Sequence, residues 1–340
     1  MTKRPTQKDV ARVAGTSTAV VSYVLNDGPR PISEEARRRV MAAIAETGYR
    51  PNGVARALAH GQSSVFGLVV PDIANPFLAQ LTQALEREFL KRGYSLLIGD
   101  SEDDPEREIK VIETLISQQI TGLVWYGVEE PLPLEVVDSA ILPVVLIGTP
   151  TGLASPRSGG RFICVNTNDK EHATLATAHL IGHGRTRIAH LGGPTGKLNA
   201  HERAQGWLDG LRAAGLPSGQ RYTAPFTREG GYDSVHEILD AGCDAIVVSN
   251  EMQAVGLLAG LSRAGINVPE EIAVIALNGT PAAQYTVPSL STVHPLMDGL
   301  SKSIADALDP KSAVSLIQAE GRLTPRASCG CADTPEGEQR

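Results

Sequence analysis

Two pairs of side chains in this sequence have types and spacings that could hold a metal ion. His179 and His183 lie four apart in a helix-patterned segment, which puts both imidazoles on one helix face. Cys329 and Cys331 flank Gly330 near the C-terminus. Neither pair suffices on its own. The histidines come without the glutamate of an HExxH helix, and two thiols without nearby His or Cys partners make a poor zinc site. A strained bridge between the two cysteines is the other reading, and neither is favoured. Cys164 and Cys243 lie in strand-like apolar runs and read as small core residues. The expectation is therefore no metal, no cofactor and no disulfide framework. A Gly-rich phosphate loop and a G-x-S-x-G elbow are also missing, so catalysis is not expected.

The hydrogen-bonding side chains of the first sixty residues are better organised. Thr6 with Asp9 three residues later marks a helix start, where a side-chain oxygen caps a free N–H and a carboxylate faces the positive helix end. Val10, Val13 and Ala14 recur at helical spacing, and Gly15 permits a tight turn. Ser17 caps a second helix with Val20, Val21, Val24 and Leu25 as its buried stripe. Two short helices joined by a Gly-containing turn make a helix-turn-helix. Ser33, with Glu34 and Glu35 behind it, announces a third helix. Val40, Ile44 and Met41 are its inward candidates, and Gly48 its left-handed stop. Pro51 disfavours helix through Arg50, Asn52 is a good N-cap, and one or two further turns follow. A fragment that short is not stable alone in water and would fold on a partner or surface.

KDVARVAGTSTAVVSYVLN together with GYRPNGVARALA resembles the lactose-repressor (LacI/GalR-type) family of bacterial transcription regulators. PDIANPF (71–77), HLIGHGRTRIAHLGGP (179–194), HERAQGW (201–207), SNEMQAVG (249–256), PSLSTVHP (288–295) and TPRAS (324–328) extend the likeness over nearly the whole chain. The resemblance implies that the second helix enters the major groove, with Thr18, Ala19 and Tyr23 facing base edges and Thr6, Thr16, Ser17, Ser22 and Asn26 among the DNA-binding positions. It also implies a hinge helix that folds on DNA. Leu58 would be its minor-groove wedge, with Asn52, Ala55 and Arg56 near the groove or backbone. The chain departs from the family pattern at Val20, Tyr23 and Gly53, and Gly53 costs about 1 kcal/mol of helix propensity relative to Ala.

Composition is that of a globular protein, 42% hydrophobic and 20% charged over 340 residues. The formal net charge of −7 hides an asymmetry: residues 1–62 carry ten Lys/Arg and five Asp/Glu, the remainder 21 and 33. A basic head on an acidic body fits a head that meets phosphates. MTKRPTQKDV is not followed by an apolar signal core. No apolar run reaches the length of a membrane span, so no membrane partner and a cytoplasmic location are expected.

From Ser64 onward, strand-like apolar runs alternate with helix-length segments. VFGLVV (65–70), 94–98, 122–126 and VVLIG (144–148) form a first series. After a Gly/Ser/Pro-rich stretch (149–160) a second begins at 162–165 and continues through 187–193, 221–224, 245–249 and 272–277. Such alternation argues parallel sheets covered by helices. The expected fold is an all-α helix-turn-helix head (1–50), a hinge helix (51–62), then two doubly wound parallel α/β subdomains like those of periplasmic binding proteins (63–330) and a tail (331–340). The first subdomain is expected over about 63–160 and 291–320, the second over about 161–290 and 321–330. The three crossings between them are implied by the resemblance.

The resemblance puts a small-molecule effector, a sugar or related metabolite, in the cleft between subdomains, at strand ends. Asp72, Asn75, Phe77 and Tyr126 are candidates from the first half, and Arg203, Asn250 and Asn278 from the second. Arg203 offers a planar fork, the asparagines a donor and an acceptor each, and Phe77 or Trp125 a stacking face. Asn278, Gly148 and Glu251 stand where the family usually has Asp, which leaves open a differently decorated sugar, a phosphorylated or other anionic metabolite, or no effector at all. The function implied is a homodimeric repressor reading a palindromic double-stranded operator. The rival readings are a solute-binding protein of a sugar transport system and an α/β enzyme.

Overall fold

The computed structural model describes residues 5–26, 31–50, 63–127, 132–138, 140–148 and 160–332. The hinge positions Asn52, Gly53, Ala55, Arg56 and Leu58 lie outside them. The chain forms two compact units, Met1–Ser64 and Val65–Arg340.

The first unit contains α1 (Gln7–Ala14), α2 (Thr18–Asn26) and α3 (Glu34–Thr47). The Asp9 carboxylate accepts from the Thr6 backbone N–H at 2.9 Å and from the Thr6 hydroxyl at 2.7 Å. Gly15 turns the chain at φ +60°, a conformation costly for any residue with a Cβ. Ser17 Oγ then accepts from the Val20 N–H at 3.3 Å, and Ser33 Oγ from the Ala36 N–H at 3.3 Å. Val10, Ala14, Val21, Val24, Val40 and Ala43 form the small core. Met41, expected to face inward, is 55% exposed. Ala43, three residues beyond Val40, takes the inward position instead.

The second unit holds two six-stranded sheets. The first orders as β11-β5-β4-β3-β1-β2, with β1 Val65–Val70, β2 Ser95–Asp100, β3 Gly122–Tyr126, β4 Pro143–Ile147, β5 Arg161–Asn166 and β11 Leu316–Gln318. All its pairings are parallel. The second orders as β12-β10-β9-β8-β6-β7, with β6 Ile188–Gly192, β7 Arg221–Thr223, β8 Ala245–Val248, β9 Ala273–Leu277, β10 Ser291–Pro295 and β12 Gly321–Thr324. Here β10–β12 is antiparallel, so this sheet is mixed.

Two strands sit in the other sheet from the one expected. β5 pairs with β4, so the chain leaves the first sheet after Asn166 and not near 160. β10 pairs with β9, so the chain returns after Pro295 and not near 291. β5, buried on both faces, reads as the same apolar run in either sheet, and β10, with the sequence STVHP, has no apolar run to place it by. The third passage lies between Gln318 and Gly321.

Both sheets are covered on both faces. α4 (Pro76–Lys91) and α12 (Met297–Ala307) pack on one side of the first, and α5 (Pro105–Ser117) and α6 (Glu135–Asp138) on the other. On the second, α7 (Asp169–Gly182) and α8 (Leu198–Ala213) oppose α9 (Arg228–Asp233), α10 (Val235–Asp240) and α11 (Glu251–Arg263). The segment 229–241, expected as one helix, is broken at Ser234, whose hydroxyl donates to Gly230 O at 2.7 Å. α7 and α8 touch backbone to side-chain position: a Cβ on Gly206 would come within 2.0 Å of Lys170 O. Among the described residues no helix is long and apolar enough to cross a membrane.

Candidate functional site

The carboxyl ends of both sheets open onto one cleft of about 890 Å³ of empty space, its open mouth included. Six of the seven expected ligand residues line it: Asn75, Phe77, Tyr126, Arg203, Asn250 and Asn278. Asp72 is not among the lining residues. Its Oδ1 accepts from the Ala74 N–H at 2.8 Å and shapes the turn ahead of α4. Trp125 is fully buried and donates to Glu108 Oε1 at 2.9 Å, so it offers no stacking face.

Arg203 is the centre of the cleft's charge. It stands on α8, and Nε donates to Asp169 Oδ1 on α7 at 2.6 Å, both side chains 2% exposed. Nη1 donates to Ser249 O at 2.7 Å. Nη2 is buried and has no hydrogen-bond partner among the described residues. The guanidinium lies 5.8 Å from the ring centroid of Phe226, which also lines the cleft. Two edges of the fork are thus spent on the fold, and Nη2 is left unpartnered.

The asparagines divide their work. Asn75 Oδ1 caps α4 by accepting from the Phe77 N–H at 3.0 Å. Asn250 caps α11 through the Gln253 N–H at 2.8 Å, and its Nδ2 donates to Phe226 O at 3.3 Å. Both therefore hold strand-to-helix turns as well as lining the cleft. Asn278 adopts φ +55° at the end of β9, where its N–H donates to Val293 O at 2.9 Å. Glu251 is buried and accepts from the Thr280 N–H and, at 3.0 Å, the Thr280 hydroxyl. Burial pushes its carboxyl up, while the Thr280 bonds hold it down. It fastens the loop after β9.

Two contacts join the walls across the cleft. Lys197 Nζ lies 2.7 Å from Asp103 Oδ1. Asn199 Nδ2 lies 3.4 Å from the Tyr126 hydroxyl, whose proton is held more tightly than usual by burial and by Asp169. Sequence reasoning missed Asp103, Lys197, Asn199 and Phe226. Only their positions just beyond strand ends could have signalled them.

In the head, Thr6, Ser17, Thr18 and Ala19 are exposed, and Thr16, Ser22 and Tyr23 are half-buried. Thr18 and Ala19 thus present the N-terminal turn of α2 to solvent. Asn26 ends that helix.

The expectation that Cys329 and Cys331 lack histidine partners fails. His179 and His183 meet them across 150 residues of sequence, all four ligand atoms lying within 4.8 Å of one another. Helix spacing and a Cys-Gly-Cys turn were each visible, but their juxtaposition was not.

Residues 6–52 match the sequence profile of bacterial regulatory proteins of the lacI family, and residues 177–329 that of a periplasmic binding protein-like domain. The ribose operon repressor of Escherichia coli K12 is 33% identical over 94% of this chain and 97% of its own. The HTH-type transcriptional regulator GalR of the same organism is 34% identical over 85% of this chain and 84% of its own. A crystal structure of the lac repressor dimer bound to operator and an anti-inducer superposes with a TM-score of 0.85. It covers 96% of this chain and 99% of its own at 22% identity, a likeness of fold.

Proposed function

The chain belongs to the lacI family of bacterial regulatory proteins, and on that premise we propose that it is a transcriptional repressor released or engaged by a sugar-type effector. The observation that carries this reading is the pairing of a helix-turn-helix head with a cleft whose Arg203 keeps one buried donor free. A reactive constellation does not accompany that cleft among the described residues, which disfavours the enzyme reading, and the head disfavours the transport reading.

The effector fits a polyhydroxylated ring or its phosphate. Nη2 of Arg203 is a charge-assisted donor, Phe77 and Phe226 offer apolar faces, and the Tyr126 hydroxyl and Asn278 amide supply exchangeable donors and acceptors. The cations Arg203 and Lys197 are each paired with an acid, Asp169 and Asp103, and Glu251 adds a third carboxylate, so the unpartnered Nη2 of Arg203 is the feature that favours an anionic group.

The protein acts as a homodimer on a palindromic operator. One reading helix covers only a half-site, so two-fold pairing is required. Edge strand β2 leaves Leu97 and Ile98 at 39% and 43% exposure, apolar surface that a second copy would cover. Thr18, Ala19 and Tyr23 read base edges. Thr6, Thr16, Ser17, Ser22 and Asn26 support them, and Asn52, Ala55, Arg56 and Leu58 form the DNA-folded hinge. The protein works in the cytoplasm, where its operator is. Effector binding in the cleft must differ in affinity between the DNA-bound and free forms, since the coupling is reciprocal.

Selection of random duplexes by the purified full chain, followed by sequencing, tests this. Enrichment of a two-fold symmetric motif is expected. Failure to enrich any motif at low salt, where non-specific phosphate contacts are strongest, would reopen the binding-protein reading.

A further inference from the structure

We propose that His179, His183, Cys329 and Cys331 form a closed, four-coordinate zinc site that clamps the C-terminal segment to the end of α7. Nε2 of His179 lies 3.2 Å from Cys329 Sγ and 3.7 Å from Cys331 Sγ, and Nε2 of His183 lies 3.2 Å from Cys331 Sγ. Around a tetrahedral zinc, with Zn–S near 2.3 Å and Zn–N near 2.0–2.1 Å, nitrogen and sulfur stand about 3.5 Å apart. The three contacts bracket that separation, so an ion fits among the four atoms with small adjustments.

Hydrogen bonding alone does not require this convergence. A thiol donates once, and a single imidazole nitrogen is satisfied by one partner. Here one ligand atom from each of the four side chains lies within 4.8 Å of the other three, although they come from elements about 150 residues apart in sequence. The donor set also selects the metal: two thiolates and two imidazoles in a tetrahedral array suit zinc, and four protein ligands leave no open position for catalysis.

The fold prepares each half of the site. α7 sets His179 and its cap His183 on the same face, rings 4.7 Å apart and edge to face. Gly330 at φ +98° lets the chain reverse so that both flanking sulfurs point the same way. The segment before it is already stitched to the second sheet. Ser328 Oγ donates to Val274 O at 2.6 Å and accepts from the Ser291 N–H at 2.8 Å, and Arg326 Nη1 donates to Leu290 O at 2.7 Å. Cys329 is fully buried and His183 exposed, so the site has one closed wall and an entry path from solvent. The ion takes both sulfurs as thiolates, so binding displaces whatever thiol protons remain and strengthens as pH rises. The ion then joins the end of the chain to the helix whose first residue, Asp169, holds Arg203.

The test uses the full chain, reduced and stripped with a chelator, then supplied with zinc and passed through a desalting column. One zinc per chain is expected by elemental analysis. Cobalt(II) in its place should show the thiolate-to-cobalt charge-transfer band and the intense visible bands of a tetrahedral site. Cys331→Ser, at a half-buried position, and His183→Ala, at an exposed one, should each lose the retained metal and the cobalt spectrum. Cys243→Ser, remote from the cluster, should keep both. The chelator should lower the melting temperature of the wild type and leave that of Cys331→Ser unchanged. A reduced wild-type chain that retains no zinc, or variants that retain it as well as the wild type does, would overturn the proposal.

Discussion

Arg203 Nε donates to Asp169 Oδ1 at 2.6 Å, joining the second turn of α8 to the first residue of α7 beneath the cleft. Because the pair is almost wholly buried, removing either partner strands the other. Arg203→Gln is expected to cost about 3–5 kcal/mol, the usual penalty for breaking a buried pair, and to abolish the effector response. Arg203→Lys keeps the charge and loses the fork, so it should retain more stability than effector binding. Denaturant unfolding and calorimetric titration with effector, run side by side, separate the two losses.

That pair depends on a glycine three residues further along α8. Gly206 lets the two helices approach until Lys170 O would lie 2.0 Å from a Cβ. Since the clash is with backbone, Gly206→Ala must push α7 and α8 apart. A loss of about 1–3 kcal/mol is expected from the overpacking, with weakened effector binding because Arg203 and Asp169 ride on the separated helices. Unchanged effector affinity in a destabilised variant would show that the pair tolerates the shift.

The Lys197–Asp103 ion pair spans the cleft mouth, with Asp103 at 57% side-chain exposure. Its worth to global stability is no more than about 1 kcal/mol. Asp103→Asn should therefore leave the melting temperature nearly unchanged while altering effector affinity several-fold, through the balance between open and closed clefts. The difference from wild type should shrink at high ionic strength. Calorimetry at two salt concentrations reads both effects.

His190 is fully buried on β6, with Nδ1 3.0 Å from Val247 O and the ring 5.5 Å from that of Trp207. Burial pushes its pKa down to about 3, against an ordinary value of 6.5. The unfolded chain thus binds a proton between those values that the folded chain refuses, and stability falls as pH drops below about 6.5, by up to ~1.4 kcal/mol per pH unit for this group. His172, also pushed down by burial, adds in the same direction. His190→Gln should flatten the acid side of the melting-temperature profile. A profile as steep as the wild type's would assign the slope to other groups.

Much of this architecture was legible in the sequence because local chemistry dictated it. Thr6 with Asp9, Gly15, Ser17, Ser33 and Gly48 fix the head's helices by capping and handedness, and all six behave as their types require. The alternation of apolar runs gave both series of strands and helices. What it could not give was membership: β5 is an apolar run that reads the same in either sheet, and β10, with the sequence STVHP, carries no apolar run to read. At the site, Arg203 stood out as a fork-bearing cation in HERAQGW, but no local pattern ties it to its partner Asp169, 34 residues earlier. Cys329 and Cys331 posed the same difficulty, since only the third passage between sheets brings them to His179 and His183.

The most direct test of the central claim is an anisotropy titration of the full chain onto its selected operator duplex. It would be run with and without each member of a panel of pentoses, hexoses and their phosphates. Two chains per duplex are expected, with at least one compound changing operator affinity roughly 5–150-fold, the usual span of allosteric coupling. If a compound that binds the protein in calorimetry leaves operator affinity unchanged, and no other member of the panel shifts it, the cleft does not control the head and the account is wrong.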